Sequence, residues 1–151
     1  MYSPPNLIRN NKINIATEHL LNDYNFFSTP TQYLNRDNFY VYSNGLYILD
    51  AEMFIANKLT ELFTLNTFKH YSHIRDVINQ VQRFSPTISE DLINPTGITN
   101  FLNGLYYHTE NKLLPHTPKI YTTKQHPQNY VNETNDNLSQ HAKRLEYLNF
   151  I

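Results

Sequence analysis

The sequence predicts an α+β fold: one domain with two short β-hairpins or meanders packed on two or three amphipathic helices, plus a C-terminal helix. Three observations predict it. Asn-Gly occurs twice, at Asn44-Gly45 and Asn103-Gly104, each time between runs of strand-forming residues, and that dipeptide favours tight hairpin turns. Between the two lie segments whose apolar residues recur every three or four positions, the period of a helix with one buried face. The chain has 151 residues, 40% of them hydrophobic, with twelve Tyr and nine Phe. A domain of this size buries about 70% of its unfolded surface, so a substantial core is available.

Taken in order, residues 1–12 carry Pro4, Pro5 and several Asn and read as a loose N-terminal arm. The main domain then spans residues 13–131. In IATEHLLNDY, Ile15–Tyr24, the positions Ile15, Ala16, Leu20 and Leu21 suit a short helix with Asn14 as N-cap. Phe26 and Phe27 read as an aromatic plug, and Ser28-Thr29-Pro30-Thr31 as the break after it. Phe39–Leu49 is the clearest hairpin, with Asn44-Gly45 in a type I′ turn, Phe39 and Val41 on one face, and Tyr40 and Tyr42 on the other.

Asp50 is placed to cap a helix reaching Phe63, with Ala51, Phe54, Ile55, Leu59, Leu62 and Phe63 as its apolar stripe. A second helix covers Ser72–Phe84 through Ile74, Val77, Ile78, Val81 and Phe84. Ser85-Pro86 ends it, and residues 86–97 read as a helical turn and loop. A meander follows over residues 98–116, stopped by Pro115 and Pro118, which cannot donate to a ladder. The chain then extends to Tyr130. Residues 132–151 form a polar linker and a terminal helix marked by Leu138, Ala142, Leu145, Leu148 and Phe150.

Composition removes several chemistries. Without cysteine there is no disulfide, no thiolate catalysis and no Cys-based zinc site. No apolar run approaches the ~20 residues of a membrane span, and the first residues lack a signal peptide's apolar stretch, which predicts a cytoplasmic chain with no membrane partner. Gly45, Gly97 and Gly104 are the three glycines, and none precedes Lys-Ser or Lys-Thr, so no Walker A loop exists to cradle a nucleotide's phosphates. The acids Asp37, Asp50, Asp76, Asp91 and Asp136 are scattered where capping or solvation accounts for them, not gathered as a polymerase's metals require. His70 and His73 are three apart but have no third ligand nearby in sequence. No Gly-x-Ser-x-Gly elbow is present. The chain itself therefore offers no catalytic motif and no cofactor site.

Nucleic-acid contact is the site hypothesis that survives. Arg75 and Arg83 lie on the polar side of helix Ser72–Phe84 among amide side chains, and Lys112, Lys119 and Lys124 form a second basic stretch interleaved with Tyr106, Tyr107 and Tyr121, whose rings can stack on unpaired bases. The opposing fact is the net charge of -1, twelve Lys+Arg against thirteen Asp+Glu. Dedicated duplex-binding modules are usually clearly basic.

The stretch Thr99–Tyr130 also carries a distinctive pattern: Asn100, an apolar residue, a variable one, Asn103-Gly104-Leu105, then Leu113-x-Pro115-His116-x-Pro118, and Thr123-x-Gln125-x-Pro127-x-x-Tyr130. It resembles the region preceding the superfamily III helicase motor in phage, plasmid and poxvirus primase–helicases. The earlier hairpin, with Tyr40, Tyr42, Gly45 and Tyr47, is similar to that family's hairpin, and the likeness runs from about Ile13 to Tyr130. Leu102 stands where the family often has Lys, Tyr and His replace a common Asp, and Asn111 replaces a loop Gly while still tolerating left-handed geometry. His116 of the Pro-His-x-Pro phrase looks structural, its imidazole able to bond a loop carbonyl.

The resemblance implies a non-catalytic accessory or collar element that mediates oligomerisation beside an ATP-driven motor and guides DNA. ATP and Mg would belong to a linked or partner motor, and the partners would be further copies of the chain, a helicase or primase subunit, and DNA. It would work in a bacterial or archaeal host or a virus-infected cell. Two alternatives stand beside it: a small winged-helix-like DNA-binding regulator with Ser72–Phe84 as reader, and a phage-encoded helicase inhibitor.

Overall fold

The computed structural model describes residues 5–30, 38–62 and 71–132. Three helices, α1 (Pro5–Asp23), α2 (Ala51–Leu62) and α3 (Tyr71–Phe84), accompany two three-stranded antiparallel sheets. The first sheet is β1 (Phe26–Thr29), β2 (Asn38–Ser43) and β3 (Leu46–Leu49); the second is β4 (Ile98–Phe101), β5 (Gly104–Tyr107) and β6 (Lys112–Leu114). In both sheets the spatial order follows the chain. A short 3-10 turn at Glu90–Leu92 lies between α3 and β4. The architecture is α+β. The terminal helix expected over 138–150, and Phe63 at the end of α2, lie outside the described residues.

The N-terminal helix corrects the sequence reading. Residues 5–12 are helical, not a loose arm, and Pro5 opens α1, where a missing N–H is harmless because first-turn amides have no intrahelical partner. Its buried stripe is Ile13, Ala16, Thr17 and Leu20, the i, i+3, i+4, i+7 positions, while Ile15 is 56% exposed. A threonine sits inside that stripe because its hydroxyl donates to Gln80 Oε1 on α3 at 3.0 Å. Of the apolar positions expected on this face, Ala16 and Leu20 are buried and Leu21 packs against the core, while Ile15 faces out and Thr17 takes a place inside.

Phe26–Thr29 is likewise a strand rather than a plug followed by a break. It pairs with β2 in the register Phe26↔Val41 and Phe27↔Tyr40, with Ser28 and Thr29 continuing the ladder. All four residues are buried, and the element stops only at Pro30. Alternation then sorts the sheet's two faces. Phe26, Phe39 and Val41 face the helices and join Ala51, Ile55 and Leu59 of α2 and Val77, Ile78 and Val81 of α3 in the main core. Burying each of the Val, Ile, Leu and Phe side chains among them contributes about 1.5–3 kcal/mol. Phe27 lies on the opposite face, stacked on Tyr40 at 4.7 Å and met edge-on by Tyr47 and Tyr121.

Asp50 occupies the N-cap position of α2, its carbonyl accepting from Phe54 N–H at 3.1 Å, with φ at 76°. One position at an element end departs from expectation. Phe84, counted with the apolar stripe of α3, is 67% exposed. It is the last residue of the helix, where Ser85 Oγ donates to the Val81 carbonyl at 2.6 Å and the chain leaves for β1. There Ser28 N–H donates to Pro86 O and Ile88 N–H to Ser28 O, which covers the outer edge of β1.

Candidate functional site

The segment after β6, residues 115–130, runs as a strap across both sheets and makes the most specific contacts among the described residues. Its bonds explain the second sheet's place. Tyr47 N–H on β3 donates to the Thr122 carbonyl at 2.8 Å, and Tyr47 Oη donates to the Pro118 carbonyl at 2.6 Å. Further along, His126 N–H donates to Asn100 O and Leu102 N–H to Gln128 O, so the strap also closes the outer edge of β4. One stretch of extended chain thus satisfies backbone groups of two sheets that share no ladder.

At the centre is Asn100, 4% exposed. Its Nδ2 donates to Gly45 O at 2.8 Å and Thr122 Oγ1 at 2.7 Å, while its Oδ1 accepts from Gln125 Nε2 at 3.1 Å and faces His116 Nε2 at 3.0 Å. Gly45 O can only accept, which fixes the orientation of the amide. His116 Nε2 also lies 2.7 Å from Phe101 O. Both its partners are acceptors, so that nitrogen carries a proton and donates. Every donor and acceptor of the Asn100 amide is then used. Chemically this arrangement is a clamp, one side-chain amide tying Gly45, Thr122, Gln125 and His116 together.

Glycine 45 is needed at this clamp for two reasons. Its φ is 90°, and a Cβ there would sit 2.9 Å from the His116 ring. The His116 ring is held by Asn100 and Phe101, so it cannot swing aside freely. Nearby, burial pushes the Tyr47 hydroxyl above its ordinary titration range, with Tyr121 and Tyr42 adding to the effect, and burial raises Tyr42 as well.

The strap's far end is fastened by Asn103. Its Nδ2 donates to Tyr130 O at 3.0 Å and its Oδ1 accepts from Tyr130 N–H at 2.8 Å, imitating a strand partner. The Tyr130 ring stacks on Tyr106 at 4.3 Å and leans on Phe101, which also stacks on His126 at 5.3 Å. Asn111 holds φ at 55° in the β5–β6 turn and accepts from Tyr106 Oη.

The motif residues marked by sequence gather mainly at the clamp and along the strap. Gly45, Tyr47, Asn100, His116, Pro118 and Gln125 meet at the clamp. Tyr40 and Tyr42 flank it on β2, with Tyr42 edge-on to Tyr47 at 5.1 Å. Asn103 and Tyr130 fasten the strap's end. Leu105 is 1% exposed beneath β5, Gly104 opens that strand, Pro115 enters the strap on the surface, and Pro127 lines a depression described next.

The basic residues are spread over α3, β6 and the strap. Arg75 on α3 pairs with Glu52 on α2 at 3.4 Å. Arg83 is exposed near the end of α3, Lys112 is exposed on β6, and Lys119 and Lys124 are exposed on the strap. Of the three tyrosines expected to stack on bases, Tyr121 packs against Phe27 and Tyr47, and Tyr106 against Tyr130.

Between the strap and the outer edge of β4 lies an open depression of about 360 Å³, lined by Asn94, Ile98, Thr99, Asn100, Thr122, Lys124, Gln125, His126 and Pro127. Asn94 braces one wall, its amide bonded both ways to Thr123 and its N–H to Tyr121 O. Sequence reading missed Asn94, Thr122 and His126. Asn94 has φ at 52° and its bonded partner lies 29 positions away, so no local pattern marks it.

Compared with known proteins, the chain matches no family model and no curated protein.

Proposed function

We propose that this chain is a non-catalytic accessory domain of a phage- or plasmid-type primase–helicase, mediating assembly beside an ATP-driven motor and guiding DNA there. One observation carries the reading. The positions that resemble the region before superfamily III motors are spread from Tyr40 to Tyr130, yet Gly45, Tyr47, Asn100, His116, Pro118 and Gln125 converge on a single clamp. A pattern whose scattered members meet in space has a physical reason to occur as a set, since each holds the others in place. ATP and Mg belong in this reading to the motor, and the chain's role is to present a stiff surface.

Tyr40, Tyr42, Tyr47 and Tyr121 serve the interior in this arrangement. The assembly surface is then sought among exposed apolar side chains such as Leu49, Met53 and Phe84. The regulator reading needs α3 to present Arg75 and Arg83 together to a duplex, and the Arg75–Glu52 pair weighs against it. The test is light scattering on the eluted protein at high concentration, alone and mixed with a superfamily III motor subunit. Self-assembly or a stable complex with the motor is expected. Strictly monomeric behaviour in both samples would overturn the reading.

A further inference from the structure

We propose that the depression between the strap and β4 binds one nucleotide of a single-stranded nucleic acid, its phosphate at Lys124 and its base against the His126–Phe101 stack. The choice of partner rests on the function proposed above, and the site gives that reading's DNA-guiding role a location.

The walls are built before any ligand arrives. Asn100, Thr122 and Gln125 are fixed by the clamp, and the Asn94–Thr123 brace holds the opposite side. What faces outward is different in kind. Lys124 and His126 are exposed, and neither has a hydrogen bond or ion pair from its side chain to a described residue. No acidic residue is among those lining the depression. In a chain of net charge -1, this depression is lined by one ammonium and one imidazole ring and by no carboxylate. Such a spot attracts an anion, and rigid polar walls reduce the ordering that binding would otherwise require.

The aromatic neighbours specify the class of anion. His126 stacks on Phe101 with an interplanar angle of 23°, Phe101 contacts Tyr130, and Tyr130 stacks on Tyr106. The ring of His126, which lines the depression with Lys124, is thus backed by a row of touching rings. A cation beside an aromatic ledge is the combination that holds single strands, where charge follows the phosphates and ring faces take bases of any sequence. A volume of about 360 Å³ falls at the lower end of the range for small-molecule sites, suiting a single nucleotide. A duplex, whose bases are already stacked, could use only the charge.

The test is fluorescence anisotropy of a labelled oligothymidylate at low salt, with three variants of the full chain. Lys124→Glu is expected to weaken binding at least about tenfold, and His126→Ala about five- to tenfold, from the stacking worth of one base. Lys58→Glu, the same charge change on α2, should alter affinity less than about twofold. Both strap positions are exposed, and circular dichroism would verify that each variant folds. Equal losses for Lys58→Glu and Lys124→Glu, no wild-type binding at low salt, or retention of duplex only would each overturn the proposal. Displacement by adenosine monophosphate at equal nucleotide concentration would assign the depression to a free nucleotide instead of a strand. The outcome is separable from the assembly test. A chain that binds the strand but never assembles keeps this site and loses the adaptor; one that assembles without binding does the reverse.

Discussion

The two Asn-Gly hairpins use the same dipeptide to do different things. In the first, Ser43 pairs with Leu46, and Asn44 and Gly45 form the whole loop with φ of 53° and 90°, the left-handed pair of a type I′ turn. In the second, Phe101 pairs with Gly104, so the loop is Leu102-Asn103 and the glycine is already the first residue of β5. A Cβ on Gly104 would lie 2.5 Å from the Leu114 carbonyl. Its lack of a side chain lets β6 approach, while Asn103 is free to bond the strap. One glycine is required by a turn and by the ring beside it, the other by a neighbouring backbone. A dipeptide predicts that a hairpin occurs, but its partners decide which residue occupies the loop.

Breaking the bond that joins the hairpins should have the largest effect. Asn100→Ala leaves the Gly45 carbonyl, the Thr122 hydroxyl and the Gln125 amide without their partner, while His116 keeps only Phe101 O. We expect a loss of about 3–4 kcal/mol in urea denaturation, with the first sheet's amides losing exchange protection as well as the second's. Gly104→Ala comes next at about 2–3 kcal/mol, because the obstacle is backbone. Gly45→Ala should cost slightly less, about 2 kcal/mol, for left-handed geometry and crowding of a side-chain ring that can give more than backbone can. If the two glycine variants reversed in order, the contrast drawn between the hairpins would be wrong.

A smaller effect concerns Tyr47. Its folded titration point is raised above the ordinary 10.0 by burial, so the fold favours the neutral phenol. Above pH 10 the unfolded chain releases that proton first, and stability declines by about 1.4 kcal/mol per pH unit for one such group. Below pH 10 the contribution is fully present. Tyr47→Phe should cost about 1 kcal/mol at neutral pH, for the Pro118 bond, and reduce the alkaline decline measured by denaturation between pH 9 and 12. The smallest change is Asn103→Ala, about 0.5–1 kcal/mol at this exposed loop, read as faster exchange of the Tyr130 amide. Asn44→Ala should leave that amide unchanged.

Local pattern made part of this molecule legible. The period-two alternation of Phe39–Tyr42 and the three-four spacing of Val77, Ile78 and Val81 each report a face, and each face is where the pattern puts it. The losses came where a distant partner overrides the pattern. Thr17 is buried because Gln80 receives its hydroxyl, and Ser28 and Thr29 continue a strand because β2 and Pro86 complete their bonds. The clamp was visible only as a list of motif positions. That Asn100 joins Gly45 to Thr122, Gln125 and His116 could not be read from spacing, since those contacts span 16 to 55 positions along the chain.

The bond from Tyr47 to Pro118 spans 71 positions, and that separation has a consequence during synthesis. A ribosome adding about 5–20 residues per second leaves the first hairpin waiting roughly 4–14 s for the chain that will cover its aromatic side. Throughout that interval Phe27, Tyr40 and Tyr47 emerge without Tyr121 to close over them. Nascent protein is therefore most vulnerable to aggregation in this window, and a stall before residue 118 would prolong it.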